Sequence, residues 1–179
     1  MDIYKLNFTI LELEIFSFLS IKAGENLSQR EIAKALAVSP TAVANAVKNL
    51  TKKNLIKLEK TKTINFISFN RDNPKAIELK RVENLKQTYL SGLSDFLEEK
   101  LAGSTIILFG SYARGEDTKT SDIDIAVIGR KEKPLTLESF EKALDKKINI
   151  NFYDSWKDIH KNLKNNILNG IILHGSVEL

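Results

Sequence analysis

Cysteine is absent from the 179 residues, which excludes disulfides and thiolate metal sites and suits a reducing compartment. Histidine occurs only at His160 and His174, without the paired spacing of a ligand set, so both read as surface or core residues. No apolar run approaches the roughly 20 residues needed to span a bilayer. Met1-Asp2-Ile3-Tyr4-Lys5 lacks the basic start and apolar core of a signal peptide. A cytoplasmic protein with no membrane association is expected. Low-complexity tracts and internal repeats are also missing, and 42% hydrophobic content with three prolines and eight glycines describes an ordinary globular chain. That length holds one domain or two small ones, and two are expected.

The net charge of +4 is unevenly placed. Residues 1–70 hold ten Lys and Arg against six Asp and Glu, while the remainder holds seventeen of each, so the whole excess lies in the first part. A basic excess in a small domain favours a polyanionic partner.

Along that part, Leu11, Ile15, Phe18, Leu19 and Ile21 recur near a 3.6 period, predicting a helix from Phe8 to Lys22 closed by Gly24. Ser28-Gln29-Arg30-Glu31 is a capping-box pattern opening a short second helix. Ser39-Pro40 opens a third, with Val43, Val47 and Leu50 as its buried stripe. The turn between them is about three residues, a helix-turn-helix arrangement. Residues 55–59 and 64–69 then alternate as two strands around Lys60-Thr61-Lys62-Thr63, a hairpin. This order resembles the winged-helix family, and residues 27–50 look like the helix-turn-helix of many prokaryotic transcription regulators. The third helix turns Thr41, Asn45, Lys48, Asn49 and Lys52 away from its buried stripe, amides able to read base edges and lysines able to meet phosphates. Lys60 and Lys62 extend this face into the hairpin, so all seven are DNA-binding candidates and double-stranded DNA is the expected partner. Helix-turn-helix proteins commonly read paired half-sites, which makes a homodimer the expected state.

Residues 71–102 read as a linking helix or helices starting at Asn73-Pro74, with Val82, Leu85, Tyr89, Leu93, Phe96 and Leu97 as an apolar stripe and Ser91-Gly92 as a kink or break.

The chemistry is concentrated beyond residue 103. Thr105-Ile106-Ile107-Leu108-Phe109 reads as a buried strand running into the Gly110-Ser111 turn, and Asp122-Ile123-Asp124 follows ten residues later. Alternation along the strand puts both aspartates on one face and Ile123, Ile125 and Val127 on the other. Carboxylates about 7 Å apart repel unless a cation lies between them, which points to Mg2+. Gly110-Ser111, Ala113-Arg114-Gly115 and Ser121-Asp122-Ile123-Asp124 together closely resemble the minimal nucleotidyltransferases of the polymerase β superfamily, over residues 103–179. The resemblance implies that Gly110 and Ser111 hold the triphosphate of ATP or another NTP, with Arg114 as a further contact. It also implies that Asp122 and Asp124 are the catalytic carboxylates and bind Mg2+. The expected class is α+β: an N-terminal winged helix (1–70), an amphipathic linker (71–102) and a C-terminal polymerase β-like sheet with flanking helices (103–179).

Relatives carry a third carboxylate on a neighbouring strand. After a helix over 137–146, the strand over 147–153 offers Asn149 and Asn151 instead, and asparagine neither accepts a proton nor supplies charge. Asp154 alternates to the opposite face. A C-terminal helix bearing Trp156, Ile159, Leu163, Ile167 and Leu168 ends at Asn169-Gly170, and Ile171-Ile172-Leu173 adds a short closing segment. Three functions follow from these features. One is a DNA-binding regulator whose nucleotidyltransferase domain binds ATP-Mg2+ with residual or no transfer. Another is an antitoxin that transfers AMP to a HEPN-type partner toxin and autoregulates its operon, as the resemblance suggests. The third modifies a small molecule such as an aminoglycoside.

Overall fold

The computed structural model describes residues 8–61 and 64–178, and the chain divides into two compact units between Lys80 and Arg81. In the first unit, α1 (Ile10–Ile21) begins at Thr9, whose hydroxyl accepts from the Glu12 backbone while Glu12 reaches back to the Thr9 N–H. That second capping box has the same local logic as the one at Ser28 and Glu31, which opens α2 (Gln29–Ala35). Ser39 caps α3 (Pro40–Lys52) by accepting from Ala42 N–H. Ala37 takes a positive φ of 53° in the turn between α2 and α3.

Three strands close the unit: β1 (Leu27–Ser28), β2 (Ile56–Lys60) and β3 (Asn65–Phe69), antiparallel in the order β1-β3-β2. The hairpin β2–β3 is the expected wing. β1 is two residues long, too short for any period to announce it. Ile15, Leu19, Ile32, Val43, Val47, Leu50, Ile56 and Ile67 are buried together, so the three helices and the wing share one core.

The expected linker consists of two helices, α4 (Pro74–Leu90) and α5 (Leu93–Lys100), broken at Gly92 with φ 75°. The apolar stripe does not hold along α4: Val82 is 62% exposed and Tyr89 47%, while Asn84 and Thr88 are buried. These polar side chains go inside because each finds a partner there. Asn84 donates to Asp117 and to the Tyr112 carbonyl, and Thr88 donates to the Asn84 carbonyl.

The second unit is built on β4 (Thr105–Phe109), β5 (Ile123–Ile128), β6 (Ile148–Tyr153) and β7 (Ile171–His174), in the order β6-β5-β4-β7. Only β5 and β6 run parallel. The Ile171-Ile172-Leu173 segment is therefore a full member of the sheet. α6 (Gly110–Arg114) follows β4, α7 (Glu138–Leu144) precedes β6, and α8 (Lys161–Leu168) precedes β7. The single C-terminal helix expected from residue 156 is instead a 3₁₀ turn at Trp156–Asp158 followed by α8, because Ser155 and His160 each start a new N-terminus by accepting from Lys157 N–H and Asn162 N–H.

Both faces of the sheet are covered. Ile123, Ile125 and Val127 pack with Leu93 and Leu97 of α5, while Ala126 and Ile128 pack with Phe109, Trp156 and Ile167. The face that carries Asp124 is thus open only at its end. Gly170 has no left-handed backbone; its role is close approach, since a Cβ there would meet the Leu108 carbonyl oxygen at 2.5 Å and the Ile167 carbonyl oxygen at 2.9 Å. Gly170→Ala should cost about 1–3 kcal/mol in urea unfolding, because backbone atoms on both sides must shift. An unchanged midpoint would remove the packing argument.

Candidate nucleotide and metal site

Five buried or half-buried residues bring β4 to its end at Phe109, where Gly110 turns the chain with φ 76° into α6. Phe109 pairs with Asp124 across the ladder, so Gly110 lies directly beside that carboxylate. A Cβ on Gly110 would stand 2.5 Å from Asp124 Oδ2. Glycine is needed here twice, for the backbone angle and for the approach. No side chain caps α6, which leaves its first N–H groups oriented as donors beside the turn.

On the other side of β5, Asp124 is in register with Asn149 of β6. Asp122 stands one residue before β5, not within it, and accepts from Asn149 Nδ2 at 3.1 Å. Burial raises the Asp124 carboxyl above its usual range; the Asn149 hydrogen bond opposes this, Asp122 adds to it and Arg114 opposes it. Gly110, Asp122, Asp124 and Asn149 therefore converge at one end of the sheet. Asn151 is in register with Ala126, two residues further from that end. Asp154 follows the far end of β6, about 17 Å from Asn149 at strand rise. Asn149 thus occupies the place beside the two acids.

Among the described residues no three His, Asp or Glu side chains cluster to hold a metal. The available donors are the two carboxylates and the Asn149 amide, an oxygen-rich set that fits one hard divalent cation. A carboxyl raised by burial and by a neighbouring carboxylate is also a group that a cation would return to its ionised form. Arg114 donates from Nε to Glu116 at 2.8 Å and from Nη1 to Asn166 at 3.0 Å, so it braces α6 against α8 within reach of the Asp124 field. A cleft of about 540 Å3 opens beside Asp122, lined by Ser121, Glu138, Lys142 and Lys147. A slightly larger cavity of about 590 Å3 lies at the opposite end of the sheet, near Thr105, Ile128 and His174, away from both acids. His174 is held between Ser94 at 2.7 Å and Glu98 at 3.3 Å, and His160 caps α8.

Sequence reading missed Asn84, Asp117 and Lys146, which form a buried polar cluster behind the loop between Gly115 and Asp122. Asp117 sits inside the recognised motif, but nothing local marks its partners, 33 residues before it and 29 after it.

In the first unit, Thr41, Asn45, Lys48, Asn49, Lys52 and Lys60 are all exposed. Lys48, Lys52 and Lys60 line one cleft of about 550 Å3 between α3 and the hairpin, floored by Val47, Leu58 and Ile67. Asn49 bonds instead to the buried Glu12 of α1, and Lys62 lies outside the described residues. Lys57 is paired with Asp72 at 2.5 Å.

Residues 90–176 match the nucleotidyltransferase domain family, and residues 6–63 match the MarR family. A Methanocaldococcus jannaschii relative named "Putative protein adenylyltransferase" is 43% identical over 67 residues, 35% of this chain and 69% of the relative. The crystal structure of a S. aureus MepR–DNA complex aligns with a TM-score of 0.38 and 21% identity, over 54% of this chain and 80% of that chain. On its 43% identity over 69% of the Methanocaldococcus jannaschii relative and the family match that spans Gly110, Asp122 and Asp124, the chain belongs to the nucleotidyltransferase domain family, and its residues 6–63 are similar to the MarR family.

Proposed function

We propose that this protein binds ATP with Mg2+ at Gly110, Ser111, Asp122 and Asp124, transfers AMP slowly to a hydroxyl of a partner protein by breaking the bond between the α-phosphorus and the bridging oxygen so that pyrophosphate leaves, and binds duplex DNA through its winged helix. The observation that carries the nucleotide site is the convergence of Gly110, both aspartates and Asn149 at one open end of the sheet. A bound divalent cation supplies charge neutralisation and polarisation of phosphate oxygens. Asp122 and Asp124 would hold that cation through their carboxylate oxygens. Gly110 lets the backbone approach phosphate, with the Ser111 hydroxyl and the first N–H groups of α6 as donors. Asn149 orients Asp122 by its hydrogen bond but takes no proton from an incoming hydroxyl, so transfer is slow. A protein acceptor is favoured by the 43%-identical relative named for that activity. A HEPN-type toxin is the acceptor class that the sequence resemblance implies.

Incubation with α-labelled ATP, Mg2+ and the partner protein tests the transfer. Label should pass to the protein and vanish in Asp122→Asn; tight ATP binding with no label on any protein would reduce the domain to a sensor, and label on a small molecule alone would redirect it.

For DNA, Lys48, Lys52 and Lys60 around one cleft provide the phosphate contacts, and Thr41 and Asn45 on the same exposed side of α3 provide base contacts. A homodimer would present two such faces to paired half-sites. Lys48→Glu with Lys60→Glu should abolish gel retardation of duplex DNA at low salt, since two phosphate contacts become two repulsions. Retardation at wild-type protein concentration would sink the DNA assignment.

A further inference from the structure

Asp117 is 1% exposed and Lys146 8%, so both charges have been taken out of water. Such a pair is costly unless further hydrogen bonds satisfy its remaining donors and acceptors. Here they do. Asp117 Oδ1 accepts from Asn84 at 2.7 Å and Oδ2 lies 3.1 Å from Lys146 Nζ. The ammonium's other two acceptors are backbone carbonyl oxygens, Thr118 at 2.5 Å and Ser121 at 3.4 Å. The ammonium thus lies among three oxygens, donating hydrogen bonds to the two carbonyls and pairing by charge with the carboxylate. Ser121 immediately precedes Asp122, and Ile123, immediately after it, donates its N–H to the Lys147 carbonyl at 2.8 Å. The backbone on both sides of Asp122 is therefore tied to Lys146 and Lys147, which shortly precede Asn149 in the chain.

We propose that Lys146 is a positioning residue: its buried ammonium, balanced by Asp117, clamps the Thr118 and Ser121 carbonyls and thereby fixes Asp122 beside Asn149 for cation binding. The proposal rests on Asp122 and Asp124 being the cation ligands. A lysine is suited to this because a carboxylate only accepts and cannot bond to carbonyl oxygens, whereas a three-donor head group can hold the carboxylate and the carbonyls together. The loop between the Gly110 turn and Asp122 has helix only in its first turn, so its placement depends on such ties.

Two variants of the full chain test the idea, Lys146→Met and the double variant Asp117→Leu/Lys146→Met, which replaces the pair by apolar side chains and leaves Asn84 its bond to the Tyr112 carbonyl. The readouts are hydrogen exchange of amides 118–123 without metal, Mn2+ affinity by electron paramagnetic resonance, and the melting temperature. Both variants should exchange faster over that loop and bind Mn2+ roughly 10- to 100-fold more weakly, the usual effect of removing a group that orients a metal ligand. The double variant should melt close to the wild type. If the single variant fails to fold, the double variant decides. Wild-type exchange and Mn2+ affinity in the double variant would overturn the proposal and leave a purely structural ion pair. Wild-type protein that binds no Mn2+ would instead overturn the reading of the two aspartates, with loop exchange in the double variant still deciding whether the clamp exists.

Discussion

Replacing Asp124 by asparagine should cut the proposed AMP transfer to a trace and, in the same protein without metal, raise the melting temperature. Both effects come from one placement. Asp124 is half-buried, with Gly110 against one side and Asn149 in register on the other, and its carboxyl is raised first by burial, with Asp122 adding to the rise. A folded-state pKa above the unfolded value means that the ionised carboxylate destabilises the fold near neutral pH, and that stability is regained as pH falls through the raised value. An amide has no charge to desolvate, so the variant lacks this penalty at neutral pH and the gap between the two proteins closes on acidification. With Mg2+ and ATP the order should reverse. Ligand at 100 times its Kd would stabilise the wild type by about 2.7 kcal/mol, and the variant should gain little of this. Transfer should fall by about a thousandfold or more, the scale expected when charge stabilisation of the reacting phosphate is removed. Thermal melts at two pH values, with and without Mg2+-ATP, read the stability effects, and label transfer reads the chemistry. Full transfer in the variant would exclude Asp124 from the site.

The sequence made local features legible and left pairwise ones hidden. The caps at Ser28 and Ser39 were readable because donor and acceptor lie three residues apart, and a helix start is decided by such neighbours. The cap at Thr9 obeys the same rule, and it starts the helix two residues later than the apolar period beginning at Phe8 predicts. Alternation in the sequence from residue 122 onward puts Asp122 and Asp124 together, and along β6 it puts Asn149 and Asn151 on the same side; only the register of Asp124 with Asn149 chooses between them. Periodicity misplaced the buried face of α4. It assigned Val82 and Tyr89 to the interior by hydropathy, yet Asn84 lies there because Asp117 and the Tyr112 carbonyl satisfy it. No one-dimensional pattern encodes a partner 33 residues away. The same limit concealed the tie between Lys146 and the loop carbonyls.

Gly110→Ala separates backbone strain from steric displacement. The residue sits at φ 76°, where a Cβ costs about 1–2 kcal/mol in any protein. Gly103 sits at φ 85° with nothing within 4 Å of an added Cβ, so Gly103→Ala carries the backbone cost alone. At Gly110 the new methyl group would also meet Asp124 Oδ2 at 2.5 Å and Cγ at 3.3 Å, and the carboxylate must rotate away from it. Both variants should lose comparable stability in urea unfolding, about 1–2 kcal/mol each. Only Gly110→Ala should also lose cation binding, by roughly tenfold or more, because a ligand displaced by an ångström no longer shares the cation with Asp122. Equal Mn2+ affinity in the two variants would show that Asp124 tolerates the methyl group. The close approach of Gly110 would then serve the turn and not the site. Weaker binding confined to Gly110→Ala would tie the glycine of the motif to the carboxylate fourteen residues after it, through a contact made across the β4–β5 ladder.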